Sequence, residues 1–196
     1  LNSAGELGVN DRTTRSSPVQ IPGTTWKSNA SIAQGNADES SILLKTDGTM
    51  WGMGEGSYGY LAQNNTTQYS SPVQVPGTTW NSATTGYSAT FCTKTDGTLW
   101  VWGQGLSGML GLNDEVKRSS PTQLGTDTTW SNTFSVGRTS GAIKTDGTLW
   151  VWGASPQGEL GFNDTVSRSS PTQVGTDTDW TKLLTSSWYA NIFAGK

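Results

Sequence analysis

A recurring hairpin signal, four evenly spaced Ser-Ser-Pro segments and strands that are apolar on both faces predict an all-β protein. The fold that accounts for these three observations is a β-propeller of about four repeats, each about 50 residues long. We expect one repeat domain over residues 1–196, with repeat junctions near residues 18, 72, 121 and 171. We also expect this domain to be part of a larger ring.

The hairpin signal is the decapeptide Lys-Thr-Asp-Gly-Thr-Leu-Trp-Val-Trp-Gly at residues 94–103. It recurs unchanged at 144–153 and in altered form at 45–54. Its Asp-Gly centre is typical of a two-residue type I′ turn, because both central positions of that turn need a positive φ. The decapeptide therefore predicts a β-hairpin in each copy.

Further landmarks recur around each hairpin. Ser-Ser-Pro begins at residues 16, 70, 119 and 169, and a tryptophan follows each copy, at Trp26, Trp80, Trp130 and Trp180. A Gly-rich segment and an Asn-Asp or Asn-Asn pair follow each hairpin. Each unit is thus predicted to hold about four short strands and one long loop.

The unit at residues 70–118 shows the predicted strands. A segment that opens at Pro72 precedes a second strand at 80–85, and the hairpin arms follow at 89–94 and 98–102. Successive strand residues point to opposite faces, so Leu99 and Val101 lie on one face, and Trp100 and Trp102 on the other. Because both faces are apolar, we expect each sheet to be covered on both sides by neighbouring blades. Trp side chains would fill the wedge-shaped space between two blades.

Two copies depart from the pattern, and so do the chain ends. Polar residues 34–39 enlarge one loop, and Gly52-Met53 replaces the Val-Trp of the other hairpins. The two ends would meet in one blade that lacks its own decapeptide. These ends predict a part of a longer repeat protein, and a closed four-bladed ring is the alternative.

Composition excludes several classes of function. A net charge of −3 without a basic run argues against binding to nucleic acid. No apolar run is long enough to span a membrane, so no membrane insertion is expected. The absence of histidine removes the commonest general base and metal ligand. Cys92 is the single cysteine and is predicted to be a small buried apolar residue. We expect no cofactor, no metal and no catalytic residue.

The order Asp-Gly-Thr-Leu-Trp-Val-Trp-Gly, Gly-x-Leu-Gly-x-Asn-Asp, Ser-Ser-Pro and Trp resembles the repeat of the regulator of chromosome condensation family. The resemblance implies a propeller, typically seven-bladed, completed here by further repeats or another subunit. Known members include exchange factors for small GTPases, secreted enzyme inhibitors and scaffold domains. The Thr-, Ser- and Asn-rich repeats resemble the bacterial or phage type. The histidine that family repeats often carry before the turn is replaced by Ser40, Ala89, Thr139 and Tyr189.

Several recurring polar residues invite a chemical interpretation but fit structural roles. Asp47, Asp96 and Asp146 precede the turn glycine, which the turn itself requires. The Asn-Asp pairs offer oxygen ligands for calcium, but each has too few carboxylates nearby, so a loop turn is favoured. An arginine precedes three of the Ser-Ser-Pro segments, at Arg15, Arg118 and Arg168. We expect each arginine to pair with an Asp of a neighbouring blade; binding of acidic groups is the alternative.

Positions that differ between copies are the better candidates for function, because the scaffold does not dictate them. Tyr58, Tyr60 and Tyr69 gather in the second long loop and are the predicted binding residues. Tyr87, Trp188 and Tyr189 are weaker candidates near the turns that precede the hairpins.

The leading hypothesis is a non-enzymatic module that binds a protein or glycan as a surface, fibre or virion-associated component. It would be extracellular or virion-associated, with a cytoplasmic protein as the alternative. A second hypothesis is a regulator of a small GTPase or a secreted enzyme inhibitor. A third is a polysaccharide hydrolase that uses Asp38, Glu39 and Glu55.

Overall fold

The computed structural model describes residues 2–27, 40–86, 89–185 and 192–195. Within these ranges the chain forms antiparallel sheets, each joined to the next by one loop, and two one-turn 3-10 helices. The first sheet contains β1 (Ser40–Leu44), β2 (Met50–Gly54) and β3 (Tyr69–Gln74). A single bridge between Trp26 and Lys45 stands where the other sheets have their first strand.

The next two sheets have four strands each. One contains β4 (Trp80–Thr85), β5 (Ala89–Lys94), β6 (Leu99–Gly103) and β7 (Arg118–Gln123). The other contains β8 (Trp130–Val136), β9 (Thr139–Lys144), β10 (Leu149–Gly153) and β11 (Arg168–Gln173). A last pair follows, β12 (Lys182–Thr185) and β13 (Ile192–Gly195). The prediction of repeated four-stranded β units is confirmed.

The Ser-Ser-Pro strand belongs to the sheet before it. β7 pairs with β6, and β11 pairs with β10, so each sheet runs from its tryptophan to the following Ser-Ser-Pro strand. The strand also begins before the proline, because β3 starts at Tyr69, three residues ahead of Pro72. Proline is tolerated there since this strand is the sheet edge. The sequence repeat and the sheet are therefore offset by one strand.

The hairpin turn differs from the predicted type I′ geometry. Only Gly97 has a positive φ, at 79°, while Asp96 does not. The Gly97 amide donates to the Lys94 carbonyl, and the Lys94 amide donates to the Thr98 carbonyl. This pattern is a three-residue loop, in which a type I turn ends in a left-handed glycine. Asp96 fits because its carboxylate accepts bonds from the Thr98 amide and hydroxyl, at 3.0 and 2.7 Å.

The hairpin strands are the two central strands of each four-stranded sheet and are buried on both faces, as predicted. All of β5 except Lys94 is buried, and so is all of β6 except Trp100. Trp102 packs in one cluster with Ile42 and Leu61 of the preceding repeat. The core is therefore a row of clusters between sheets, which is the arrangement that the two apolar faces require.

Neighbouring sheets are also tied by hydrogen bonds that repeat at each junction. The indole N–H of Trp102 donates to the Tyr60 carbonyl at 2.8 Å, and that of Trp152 donates to the Met109 carbonyl at 2.9 Å. The backbone amides of Asn10, Asn64 and Asn113 each donate to the first serine carbonyl of the next Ser-Ser-Pro strand, as Asn64 does to Ser119 at 2.7 Å. The three loops that contain these asparagines thus anchor on the next sheet.

Candidate functional site

The second-blade loop, residues 55–68, connects β2 to β3. Because adjacent strands are antiparallel, this loop lies at the end of the sheet opposite the hairpin turn. Like the loop of the next repeat, it contains a one-turn 3-10 helix, but it carries different side chains. These differences make it the candidate site, and the structure shows where each candidate residue lies.

Tyr58 is the exposed residue of this loop, with 47% of its surface accessible. It lies in the 3-10 helix Ser57–Gly59 with φ 58°, which is unusual for a bulky residue. Ser107, at the same position of the next repeat, has φ 56°, whereas Gln157 in the repeat after that has no positive φ, so two consecutive loops share this conformation. The fold therefore holds an aromatic ring on the surface at a position where another repeat has serine.

Tyr60 is buried, and its ring lies under that of Tyr58. The two ring centroids are 5.8 Å apart with a tilt of 51°. The Tyr60 side chain is 5% exposed, and its carbonyl accepts the indole bond from Trp102. Tyr60 thus fixes the loop to the next sheet and backs the Tyr58 ring, whereas Tyr58 itself is open to a partner.

Tyr69 replaces the arginine of the other repeats and is half-buried at the start of β3. Its hydroxyl accepts a bond from the Asn65 side-chain nitrogen Nδ2 at 3.1 Å, and its ring packs against the core cluster that contains Trp102. Asn65 stands where other repeats have aspartate. A tyrosine–asparagine pair has therefore replaced an arginine–aspartate pair in this loop.

Glu55 is held as an anion at the base of the loop. Its carboxylate accepts bonds from the Ser57 amide and hydroxyl, at 2.7 and 2.6 Å, and from the Gln68 side chain. Burial opposes the ionised form, yet the bonds from Ser57 and Gln68 hold the pKa of Glu55 below its usual value. A carboxylic acid that acts as a general acid needs a raised pKa, so Glu55 is poorly suited to protonating a leaving group. Asp38 and Glu39 lie outside the described residues.

The other candidate residues either lie outside the described residues or are buried in the core. Tyr87, Trp188 and Tyr189 lie outside the described residues, as does the enlarged loop at 34–39. Cys92 is fully buried, as predicted, with its sulfur 3.6 Å from that of Met50. Burial raises the pKa of the Cys92 thiol, so the thiol is a packing group rather than a nucleophile.

The recurring arginines pair within their own loops, which corrects the prediction of a neighbouring blade's Asp. Arg118 contacts Asp114 at 2.6 Å, and Arg168 contacts Asp164 at 2.8 Å. Arg15 pairs with Asp11 in the same way. Each pair closes a turn over four residues, because the preceding asparagine has a left-handed backbone that folds the loop back. The loop-turn interpretation of the Asn-Asp pairs is thereby supported.

Two general features complete the description of the site. Over the described ranges, no cluster of three or more His, Cys, Asp or Glu side chains has a geometry that could hold a metal ion. In the same part of the chain, no helix has the length and apolar character needed to cross a membrane.

The sequence reasoning missed one recurring contact, at the opposite end of the sheets. The ammonium groups of Lys45, Lys94 and Lys144 each lie over two tryptophan rings. The available signal was the lysine that opens every copy of the decapeptide, six residues before its first tryptophan.

Comparison with known proteins identifies the repeat. Residues 96–139 and 146–185 match the model of the regulator of chromosome condensation (RCC1) repeat. No curated protein sequence matches the chain.

Solved structures are similar in fold. The crystal structure of human WBSCR16 gives a TM-score of 0.71 at 20% identity, covering 89% of this chain and 46% of that protein. The structure of Prp20p from Saccharomyces cerevisiae, described with its binding to Gsp1p and histones, gives a TM-score of 0.63 at 15% identity. The match covers 74% of this chain and 38% of that protein. The structure of Kap60 bound to yeast RCC1 (Prp20) gives a TM-score of 0.62 at 18% identity, and the match covers 83% of this chain and 41% of that chain. This chain spans less than half the length of each of these proteins.

Proposed function

Because this chain contains regulator of chromosome condensation repeats, we propose that it is a non-enzymatic binding module. The second-blade loop presents Tyr58 to a protein or glycan partner. The observation that carries this proposal is the exposed Tyr58 ring, held by a left-handed backbone and backed by Tyr60. Tyrosine gives a large, rigid contact area at low cost in conformational entropy, and it is enriched at the centres of interfaces.

The surroundings of Tyr58 suit either class of partner. The ring can stack on the apolar face of a sugar or insert into a pocket of a protein. The Glu55 carboxylate, three residues away in the chain, already has hydrogen-bond partners and does not leave an uncompensated buried charge. Leu106, in the corresponding loop of the next repeat, is 39% exposed and could extend the apolar contact.

Proteins of similar fold support a role in binding, since Prp20p was studied for binding to Gsp1p and histones. Within that class we favour a surface, fibre or virion-associated component, extracellular or on a virion. The near-identical Thr-, Ser- and Asn-rich repeats, which resemble those of the bacterial or phage type, motivate this choice.

We further propose that other repeats or another subunit complete the ring. The loop at residues 154–167 carries the groups that dock on a following sheet at the earlier junctions, including Gly158 and Asn163. Native mass spectrometry of the purified chain and of the intact source protein tests this proposal. A monomeric four-repeat source protein would exclude a ring completed in either way.

The central test is a binding screen against arrays of glycans and of cell-surface proteins. For any ligand found, we expect Tyr58→Ala to weaken binding by about tenfold or more, the loss typical of a buried aromatic anchor. Ser107→Ala is the matched control, because it truncates the same position of the next repeat at a nearly equal φ. An unchanged affinity for Tyr58→Ala, with the fold intact, would remove Tyr58 as the anchor.

The second candidate is a regulator that binds a small GTPase or, as a secreted protein, inhibits an enzyme. The similarity in fold to Prp20p favours it. Nucleotide release from small GTPases, measured with a fluorescent GDP analogue, separates the two functions. Accelerated release would favour the regulator, and recovery of the chain from purified virions or extracellular filaments would favour the surface component.

A further inference from the structure

A tryptophan–lysine–tryptophan clamp recurs at the hairpin-turn end of three consecutive sheets. The Lys94 Nζ atom lies 4.8 Å from the centroid of Trp80 and 4.1 Å from that of Trp100. Lys144 repeats this contact with Trp130 and Trp150 at 4.7 and 3.9 Å. The lysine is the last residue of the central strand and pairs with the first residue of the neighbouring strand, so the geometry follows from the sheet register.

The third clamp, that of Lys144, contains a carboxylate from the same chain. Asp127 Oδ2 lies 2.5 Å from Lys144 Nζ, and Asp127 Oδ1 accepts bonds from the Thr129 amide and hydroxyl at 2.8 and 2.6 Å. Asp127 comes from the loop between the Ser-Ser-Pro strand and Trp130. The clamp is therefore a site in which a lysine between two indoles receives a carboxylate.

The clamps of Lys45 and Lys94 lack this carboxylate. Their loops, Pro-Gly-Thr-Thr at 22–25 and 76–79, are one residue shorter than Gly-Thr-Asp-Thr-Thr at 125–129 and contain no acid. Neither lysine forms an ion pair within the described part of the chain. The hairpin acids Asp47 and Asp96 interact with these lysines electrostatically but form no ion-pair contact, and each is bonded to the threonine two residues later.

The second clamp also contains an unused hydrogen-bond donor. The Trp80 indole nitrogen is buried and has no hydrogen-bond partner in the described structure, and the same holds for Trp26 and for Trp130 of the clamp that Asp127 occupies. A Cβ built on Gly77 would lie 3.7 Å from this nitrogen and 3.7 Å from Lys94 Nζ. The loop thus places a glycine, which has no side chain, beside two nitrogen donors.

We propose that the clamps of Lys45 and Lys94 form a binding face for an acidic protein segment, whose Asp or Glu carboxylates take the place that Asp127 takes on Lys144. An acidic segment is favoured over a free acid because the two clamps are adjacent. The Trp80 amide donates to the Gly48 carbonyl in the turn of the preceding repeat at 2.9 Å. Two neighbouring lysines select a ligand with two linked carboxylates.

This face is distinct from the one proposed for Tyr58, since it lies at the opposite end of the sheets. The net charge of −3 repels an acidic peptide, so its binding would need a local site rather than general attraction. The half-buried position of the lysines over indole faces reduces screening by salt relative to fully exposed lysines.

The test is a titration with a hexa-aspartate peptide at low ionic strength, followed by tryptophan fluorescence and calorimetry, with hexa-asparagine as the neutral control. We expect hexa-aspartate alone to bind. Lys94→Met should weaken binding at least fivefold, and the Lys45→Met, Lys94→Met double variant should abolish it. Lys144→Met should change affinity less than twofold, because Asp127 already occupies that clamp.

Asp127→Asn supplies a variant that leaves both proposed clamps intact. It frees Lys144, and we expect at least a twofold gain in affinity for hexa-aspartate. Thermal melts confirm that each variant is folded. The proposal is overturned if hexa-aspartate does not bind, if Lys117→Met at an exposed loop position weakens binding as much as Lys94→Met, or if Asp127→Asn leaves affinity unchanged.

Discussion

Gly108 and Gly158 offer a matched test of how neighbouring sheets dock. They occupy the same position of consecutive repeats, with φ +72° and +83°. A Cβ on Gly108 would lie 2.5 Å from the Cα and 2.6 Å from the Cβ of Ser169 in the next sheet. A Cβ on Gly158 would have one described neighbour within 4 Å, the Asp164 carbonyl oxygen at 3.5 Å. The two glycines therefore share a backbone conformation and differ in their surroundings.

Alanine at the two positions separates backbone strain from the docking contact. Gly158→Ala should cost about 1 kcal/mol in free energy of unfolding, the strain of a left-handed alanine. Gly108→Ala should cost about 1–3 kcal/mol more, because the atom it meets is backbone and cannot rotate away. In a chain of this size that difference lowers Tm by about 2–12 °C further.

Urea unfolding followed by tryptophan fluorescence measures the two midpoints, and thermal melts provide an independent comparison. Gly111 and Gly161 are a second matched pair, because a Cβ would meet Trp152 Nε1 at 2.9 Å in the first and no described atom within 4 Å in the second. Equal shifts for Gly108→Ala and Gly158→Ala would refute the close docking of this loop on the next sheet.

Three other predictions concern the core, an ion pair and the thiol. Trp102→Phe should destabilise the protein by about 1–3 kcal/mol more than Trp100→Phe in urea unfolding, because it leaves a buried carbonyl without its donor; similar losses would contradict the role of that bond. Despite opposing burial, bonds from Lys144 and Thr129 lower the pKa of Asp127 from 3.8 to about 2, so its stabilisation is complete above about pH 4 and is lost as the pH falls towards 2. Asp127→Asn should therefore lower the urea midpoint at pH 6 and match the wild type near pH 2, and an equal loss at both pH values would exclude the ionised carboxylate as the cause. The Cys92 thiol should react with a disulfide reagent only as fast as the protein opens, and immediate labelling of the folded protein would contradict its burial.

Much of the architecture could be predicted because the chain repeats. The recurring decapeptide predicts the hairpin arms at 89–94 and 98–102, and the structure has β5 at Ala89–Lys94 and β6 at Leu99–Gly103. Alternation of Leu99, Trp100, Val101 and Trp102 predicted burial on both faces, since side-chain direction alternates along any strand. These inferences need only local geometry and composition.

Both errors concern the backbone path of a loop. The turn at Asp96 was predicted from the Asp-Gly dipeptide alone, but the bonds of Lys94 and Thr98 select a three-residue loop. The arginines were expected to reach a neighbouring blade, whereas the left-handed asparagine folds each loop back onto its own aspartate. Neither result follows from residue type, because each depends on the path of the chain.

The sequence by itself determined the strand pattern, the repeat and the position of the variable loop, because periodicity and turn residues act over a few neighbours. Only the tertiary structure decided which residues of that loop are exposed to a binding partner. Tyr58 and Tyr60 are the same residue type in the same loop, yet docking on the next sheet buries Tyr60 and leaves Tyr58 exposed. The tryptophan–lysine–tryptophan clamps likewise exist only after three strands come together, since the two indoles that hold Lys94 are 20 residues apart in the chain.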